Sequence, residues 1–490
     1  MIRTATGAKG MVVAGHPLAA EAGRDALQAG GTAVDAAIAA AMVLNVVCPY
    51  ATTLGGDVFA LVYDAKSKKL FGLNGSGCAP ERATKFTQTG PESISVPGVV
   101  AGLFDLHAKL ATVPWGILLS PAIACAAAGF PAHSQLIRNM QQRAEVIAAD
   151  PECARLWGAP FQEGETVRQP ELASVLTRIA ADGPDTFYLG DLAEALAAAT
   201  PMSVEDLASH ASLWQEPMSL SFAGHEVVTC APNSYGLTLL FQLMAFAEQG
   251  VAMDEADFIV QGFEARRHAY AAANGLIGDP TLCEAPARAA LARGALPPAA
   301  MGEEDKGGGT ACVVALDAAG NAVCLIESIS APFGSGVVAP GTGVLFNNRM
   351  PGFSTKPGHP NVLAPGKRPA HTLSPCLVMK DGKPAIAIAT PGTLGQTCVL
   401  AQTLVRLLAN GMGIEQAMEA SRYSVALDGT PAVEAGMPDA LKSAVAGRVP
   451  GLKTVPNGFL TFGSLKIAAV AEDGFRGYAD SRRVAQPIGL

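Results

Sequence analysis

The 490-residue chain is short of charge. Only 16% of its residues are Asp, Glu, Lys or Arg, against about 25% in ordinary soluble domains. The cations are scattered and the net charge is −9, so no phosphate-neutralising surface exists and a nucleic-acid partner is excluded. Long apolar runs are missing as well. The stretch from Ala36 to Val47 contains Asn45 and falls well short of the ~20 residues that a membrane span needs. The first residues, MIRTATGAKGMVVAGHP, hold no apolar segment followed by a cleavage site. These absences predict a soluble, cytoplasmic protein with no membrane partner.

Familiar motifs are absent too. The ten cysteines form no CxxC, and most lie in apolar company, as in Pro375-Cys376-Leu377-Val378. Buried, reduced thiols are expected. The eight histidines (His16, His107, His133, His210, His225, His268, His359 and His371) show neither HxxxH nor HExxH spacing, so no metal is expected. No GxGxxG follows a strand, no P-loop lysine follows a glycine at the required interval, and no GxSxG elbow occurs. No cofactor is expected.

What the chain has in quantity is apolar surface, 49% of residues, enough for a large core. At ~100–200 residues per domain, its length allows two to four domains or one large α/β body. Met11–Ala14 reads as a strand. Pro17–Ala29 reads as a helix stopped by Gly30-Gly31, and Thr32 can cap a second helix reaching Val47. Val58–Tyr63 and Leu70–Leu73 flank a turn and read as paired strands. From Val100 to about Leu291 the texture is mainly helical, with a short strand at Glu226–Thr229. After Gly309 strands dominate. Ala311–Leu316 with Asn321–Ile326, and Leu377–Met379 with Ala385–Ala389, read as hairpins. A helix is predicted over Gln396–Ala409, and strands near Leu460–Phe462 and Ile467–Val470. Helices mixed with antiparallel pairs argue for sheets sandwiched by helices rather than a Rossmann domain.

One segment breaks this texture. EEDKGGGTACVV, from Glu303 to Val314, runs from acidic residues through three glycines into a threonine that opens a strand. A threonine hydroxyl becomes a nucleophile when a base takes its proton, and its own α-amine, freed by chain cleavage, can be that base. Glycine before it gives the backbone freedom that such a cleavage needs. Taken alone, GGGT fits a flexible turn into a hairpin better.

The surroundings change that balance. Thr310-Ala311-Cys312-Val313-Val314, Gly320-Asn321-Ala322-Val323, Phe333-Gly334-Ser335-Gly336 and Gly343-Val344-Leu345-Phe346-Asn347-Asn348 resemble the small-subunit start of the γ-glutamyltransferase family of N-terminal nucleophile hydrolases. Gly30–Ala37, Leu54-Gly55-Gly56-Asp57, Ser95-Val96-Pro97-Gly98, Lys367-Arg368-Pro369, Ser374-Pro375 and Thr390-Pro391-Gly392 match further family segments in order along nearly the whole chain. The resemblance implies an α/β (α+β) fold, a four-layer αββα sandwich with additional helices in the first part of the chain. It implies self-cleavage between Gly309 and Thr310 into a helix-rich large part, 1–309, and a strand-rich small part, 310–490. These fragments would stay folded together, which leaves room for a dimer of such pairs. It also implies Thr310 as nucleophile, with Ser328 where the family has a threonine bonded to it. Gly392 and Thr393 fall on the oxyanion Gly-Gly pair, whose donors are backbone N–H groups.

Departures from the family concentrate where the γ-glutamyl head group would bind. Ser76 replaces the arginine that grips the α-carboxylate, and Gly352 replaces the acid that grips the α-amine. Ser330 replaces an asparagine, and His371-Thr372 replace a Ser-Ser pair. The lid is cut to residues 359–366. Losing both charged grips disfavours a γ-glutamyl head, because a buried charge without its partner costs several kcal/mol. The expected substrate is therefore a small-molecule amide with a different acyl group, oxamate-like or N-acyl. Arg349 is a candidate to hold a carboxylate, His371 a polar contact, and Cys78 a residue at the pocket edge. The short lid favours hydrolysis over transfer. Two other readings compete: a conventional γ-glutamyltransferase or glutathione hydrolase, and an uncleaved binding or structural member of the family.

Overall fold

A computed structural model describes residues 2–296 and 309–490. Two seven-stranded sheets form its centre, and every neighbouring pair in both is antiparallel. The first runs Arg3–Gly7, Gly474–Ala479, Lys466–Ala471, Lys383–Ala389, Cys376–Lys380, His225–Thr229, Met218–Phe222. The second runs Gln486–Gly489, Gly10–Ala14, Gly309–Asp317, Ala322–Ser330, Asp57–Asp64, Lys69–Gly75, Leu213–Gln215. Each sheet therefore takes strands from both sides of residue 309.

Alternation along the strands explains the layering. In Gly309–Asp317, Cys312, Val314 and Leu316 face the other sheet, where they meet Val228, Leu377 and Ala468. Val313 and Ala315 face the opposite way, into helices Pro17–Gln28 and Ala33–Val47. Helices Gly236–Gln249, Glu255–Ala273 and Gln396–Leu404 cover the outer face of the first sheet. The result is the expected αββα sandwich. A strand buried on both faces must be apolar throughout, and three stacked interior layers account for the low charge content.

Helix Ala33–Val47 is buried along its whole length, as a helix apolar on all sides must be. Thr32 caps it, and Asp35 returns a bond to the Thr32 N–H. The same carboxylate accepts from Thr112 N and Val113 N, which ties this helix to the next helical layer. In its last turn the buried Asn45 bonds Ala41 O, Thr52 and Glu327.

Two expectations need correction. Leu460–Phe462 is a turn of 3-10 helix, not a strand. Gly463 after it has φ 64° and stands so close to Thr390 that a Cβ would meet Oγ1 at 2.2 Å, so the chain turns here instead of extending. The predicted Gln396–Ala409 helix is α-helical only to Leu404, and Val405–Ala409 widen into a π turn. The polar breach from 302 lies outside the described residues as far as 308. Eight of the ten cysteines are buried. Burial pushes the Cys312 and Cys48 thiols up to about 12, so they are protonated and inert. Among the described residues no helix is long and apolar enough to cross a membrane, and no cluster of three metal-ligating side chains occurs.

Candidate active site

Gly309 and Thr310 open a central strand, flanked by Gly10–Ala14 and by Ala322–Ser330. The second pairing slips at the junction: Gly309 lies opposite Ser330 but Ala311 lies opposite Glu327. The extra residue is a β-bulge, which re-aims side chains. It brings Ser328 Oγ to the Gly309 carbonyl oxygen, to which it donates a short hydrogen bond. Thr310 is buried, and its Oγ1 receives Gln396 Nε2 at 3.5 Å, the outer limit of such a bond.

Gln396 begins the helix that follows Thr390-Pro391-Gly392, so the oxyanion candidates lie beside Thr310. Gly392 has φ 142° and Thr393 φ 55°. Among the described residues the N–H groups of Gly392 and Thr393 have no backbone acceptor, which is what an oxyanion donor pair requires. The turn is braced from behind. Thr390 Oγ1 accepts from Ser464 N at 2.9 Å, and buried Lys466 Nζ donates to Ser464 O at 2.9 Å. Burial lowers the Lys466 ammonium to about 8.

Thr393 holds a left-handed conformation that costs a residue with a Cβ on the order of 1 kcal/mol. Thr393→Gly should leave stability unchanged or raise it by up to about 1 kcal/mol, read from thermal melts. A clear loss would show that the threonine side chain itself holds the turn.

Behind Ser328 lies a buried polar knot. Arg349 Nη2 donates to Ser328 Oγ at 3.3 Å, and Arg349 Nε lies 3.5 Å from Asp57 Oδ2. Asp57 also accepts from Gly77 N at 2.9 Å and meets His371 Nε2 at 3.1 Å. His371 Nδ1 accepts from Leu373 N, so the ring is neutral with its proton on Nε2. Burial, reinforced by the Arg349 cation, lowers its pKa to about 4. On the helix side, burial raises the Glu327 carboxyl well above its usual range.

A cavity of about 1270 Å³ opens beside this centre. Ser330, Ala331, Asn348, Gly352 and Leu394 line one side of it. Tyr235, Arg266, Arg267, Tyr270 and Asn274 line the far wall, and the shortened lid contributes His359 and Asn361. The Arg266 guanidinium stacks on the Tyr270 ring at 4.2 Å, and Tyr270 Oη donates to Leu394 O at 2.7 Å. The far wall is thus fastened directly to the Thr393–Gly395 turn.

The residues named from sequence divide accordingly. Thr310, Ser328, Gly392 and Thr393 cluster, and Ser330 and Gly352 face the cavity. Arg349, His371 and Ser76 do not line it. Arg349 is 1% exposed and turned toward Asp57 and Ser328. Ser76 is sealed among Asn74 and Asn233. Thr372 is buried next to His371. Half-buried Cys78 lies away from the cavity lining, its thiol raised by burial. Asp57, Gln396, Arg266 and Tyr270 were missed. Asp57 closes the recognised Leu54-Gly55-Gly56-Asp57 segment but was given no role there, and a polar residue opening an apolar helix was the available signal for Gln396. Arg266 and Tyr270 carried no local signal.

This layering of helices on two stacked antiparallel sheets is the architecture of the N-terminal nucleophile hydrolases. The gamma-glutamyltranspeptidase family profile matches residues 19–490. A glutathione hydrolase-like proenzyme of Bacillus subtilis (strain 168) is 32% identical over 86% of this chain and 86% of its own. The oxamate amidohydrolase proenzyme of Klebsiella pneumoniae is 31% identical over 84% of each. The crystal structure of cephalosporin acylase from Bacillus halodurans superposes with a TM-score of 0.88 at 28% identity, over 100% of this chain and 97% of that one. The chain belongs to the γ-glutamyltranspeptidase family and is an enzyme acting on amide bonds.

Proposed function

We propose that the chain is a proenzyme that cuts itself between Gly309 and Thr310 and then hydrolyses N-acyl amides through an acyl-Thr310 intermediate. Thr310 Oγ1 attacks the amide carbonyl, its α-amine takes up the proton and passes it to the leaving amine, and water releases the acyl group. The Gly392 and Thr393 N–H groups meet the oxyanion. The reference pKa of an α-amine, about 7.7–8, leaves a useful neutral fraction near pH 7.

One observation carries the specificity: the cavity is lined by Ser330 and Gly352, where the family's head-group contacts would stand, and neither residue offers a charged grip for an α-amino acid head. A side chain at Gly352 would meet Ala370 O at 2.7 Å from its Cβ, so backbone packing resists an acid there. The cavity also exceeds the ~300–1,000 Å³ typical of small-ligand sites. Oxamate would leave most of it to water, whereas a bulkier acyl group, of the kind implied by the cephalosporin acylase likeness, would fill it. Arg266 and Arg267 on an aromatic wall suit an acyl chain ending in a carboxylate.

Three anilides test this reading. The γ-glutamyl anilide and the glutaryl anilide differ only by the α-amine, and the butyryl anilide also lacks the carboxylate. The glutaryl compound should have the highest kcat/KM. Arg266→Gln should raise its KM about 10- to 100-fold, the worth of a charged hydrogen bond, and leave the butyryl compound nearly unaffected. Preference for the γ-glutamyl compound would return the enzyme to the conventional glutathione hydrolase reading.

A further inference from the structure

The buried cation next to Ser328 has no part in the acyl transfer described above. A serine hydroxyl has one proton to donate and two lone pairs to accept with. Both acceptor positions of Ser328 Oγ are taken, by Ser330 N at 2.8 Å and by Arg349 Nη2 at 3.3 Å. Its proton therefore has one direction left, the Gly309 carbonyl oxygen, and that is the bond observed. Asp57 fixes the guanidinium from the other side, and is itself fixed by Gly77 N and His371.

Building on the self-cleavage reading, we infer that Arg349 is a positioning residue for maturation: it orients and polarises the Ser328 hydroxyl so that this hydroxyl stabilises the oxyanion formed on Gly309. In the step, Thr310 Oγ1 bonds to the Gly309 carbonyl carbon and the carbonyl electrons move onto its oxygen. The C–N bond then breaks, and the proton that left Oγ1 ends on the Thr310 nitrogen. Water next cleaves the ester, leaving a Gly309 carboxylate and a free Thr310 hydroxyl and α-amine. A hydroxyl whose oxygen accepts from a cation is a stronger donor toward that oxyanion. The Asp57 anchor keeps the cation in place while charge develops. Maturation and turnover thus use different oxyanion donors, Ser328 in the first and the Gly392–Thr393 backbone in the second.

The experiment follows splitting of the full-length chain by intact mass. Wild type, Arg349→Gln, Arg349→Lys, Ser328→Ala and the Ser328→Ala/Arg349→Gln double variant are timed, each checked for folding by circular dichroism. Arg349→Gln should mature about 100-fold more slowly, the scale of losing one oxyanion donor. Arg349→Lys should recover to within about tenfold of wild type by keeping the charge. Because Arg349 acts through Ser328, Arg349→Gln should add nothing in the Ser328→Ala background. Normal maturation of folded Arg349→Gln, or full additivity in the double variant, overturns the inference. If Arg349→Gln does not fold, Arg349→Lys decides: splitting more than about tenfold slower than wild type overturns the relay, since the charge alone should sustain it. If wild type itself never splits, the self-cleavage reading has failed first, which distinguishes the two.

Discussion

Thr310→Ala should remain one 50.0 kDa chain on a denaturing gel under conditions in which wild type yields residues 1–309 and 310–490. Ser328 Oγ, the other hydroxyl at this junction, donates its proton to the Gly309 carbonyl oxygen, which suits a partner of the oxyanion and not the attacking group. Amide hydrolysis should fall with splitting, by on the order of 10,000-fold, the usual cost of deleting the nucleophile of an acyl-transfer centre. The fold should tolerate the change. Among the described residues Thr310 Oγ1 has one long hydrogen bond, from Gln396, worth about 1 kcal/mol at most. Normal splitting in the variant would exclude Thr310 as nucleophile. A single band in wild type itself would instead favour the non-catalytic reading.

Acid should unfold the protein unusually early. His16, His210 and His371 are buried, and their pKa values fall to about 3, 4 and 4. Burial is the main cause in each. The His133, Arg368 and Arg349 neighbours, respectively, add to it. A lowered folded-state pKa means that the fold favours the neutral ring. The unfolded chain binds protons as pH falls through about 6.5, whereas the folded chain resists until pH 3–4. The stability these rings contribute is therefore full above about pH 7 and is lost between about 6.5 and 4. Each ring amounts to on the order of 3–5 kcal/mol, a large part of the ~5–15 kcal/mol typical of a folded domain. The hydrogen bonds give the same sign. His16 Nδ1 accepts from Leu18 N to cap its helix, and a protonated ring cannot accept there. Urea midpoints should drop steadily from pH 7 to 5, with a slope approaching 4 kcal/mol per pH unit if all three rings protonate together. A flat profile over that range would sink the idea.

The sequence was informative where structure is local. The Asp317-Ala318-Ala319-Gly320 turn, the Thr32 cap and the Gly309-Thr310 junction all lie where the pattern puts them, because each depends on a few adjacent residues. The Asp57–Arg349–His371 knot was not legible, since Asp57 lies about 300 positions from the other two and meets them only in the folded chain. The same holds for the cavity, whose far wall comes from a helix in the first part of the chain. Arg349 shows the limit most directly. Its charge marks it as a candidate to hold a substrate carboxylate, but only packing reveals that it turns inward. Short edge strands such as Arg3–Gly7 and Gln486–Gly489 carry too little periodicity to be read.

The mixing of strands in both sheets has a mechanical consequence. Strands from residues 1–309 and 310–490 are hydrogen-bonded to one another within each sheet, with Gly309–Asp317 held on both edges. Cutting at Gly309 would sever one covalent link and leave these ladders closed. The two pieces would be woven rather than docked, so dilution could not part them, and separating them would require dismantling both sheets. Melting the mature form would then turn a one-chain refolding problem into a two-chain encounter, dependent on concentration. The uncut chain would recover from heat or urea, and the mature enzyme would not recover at the same dilution.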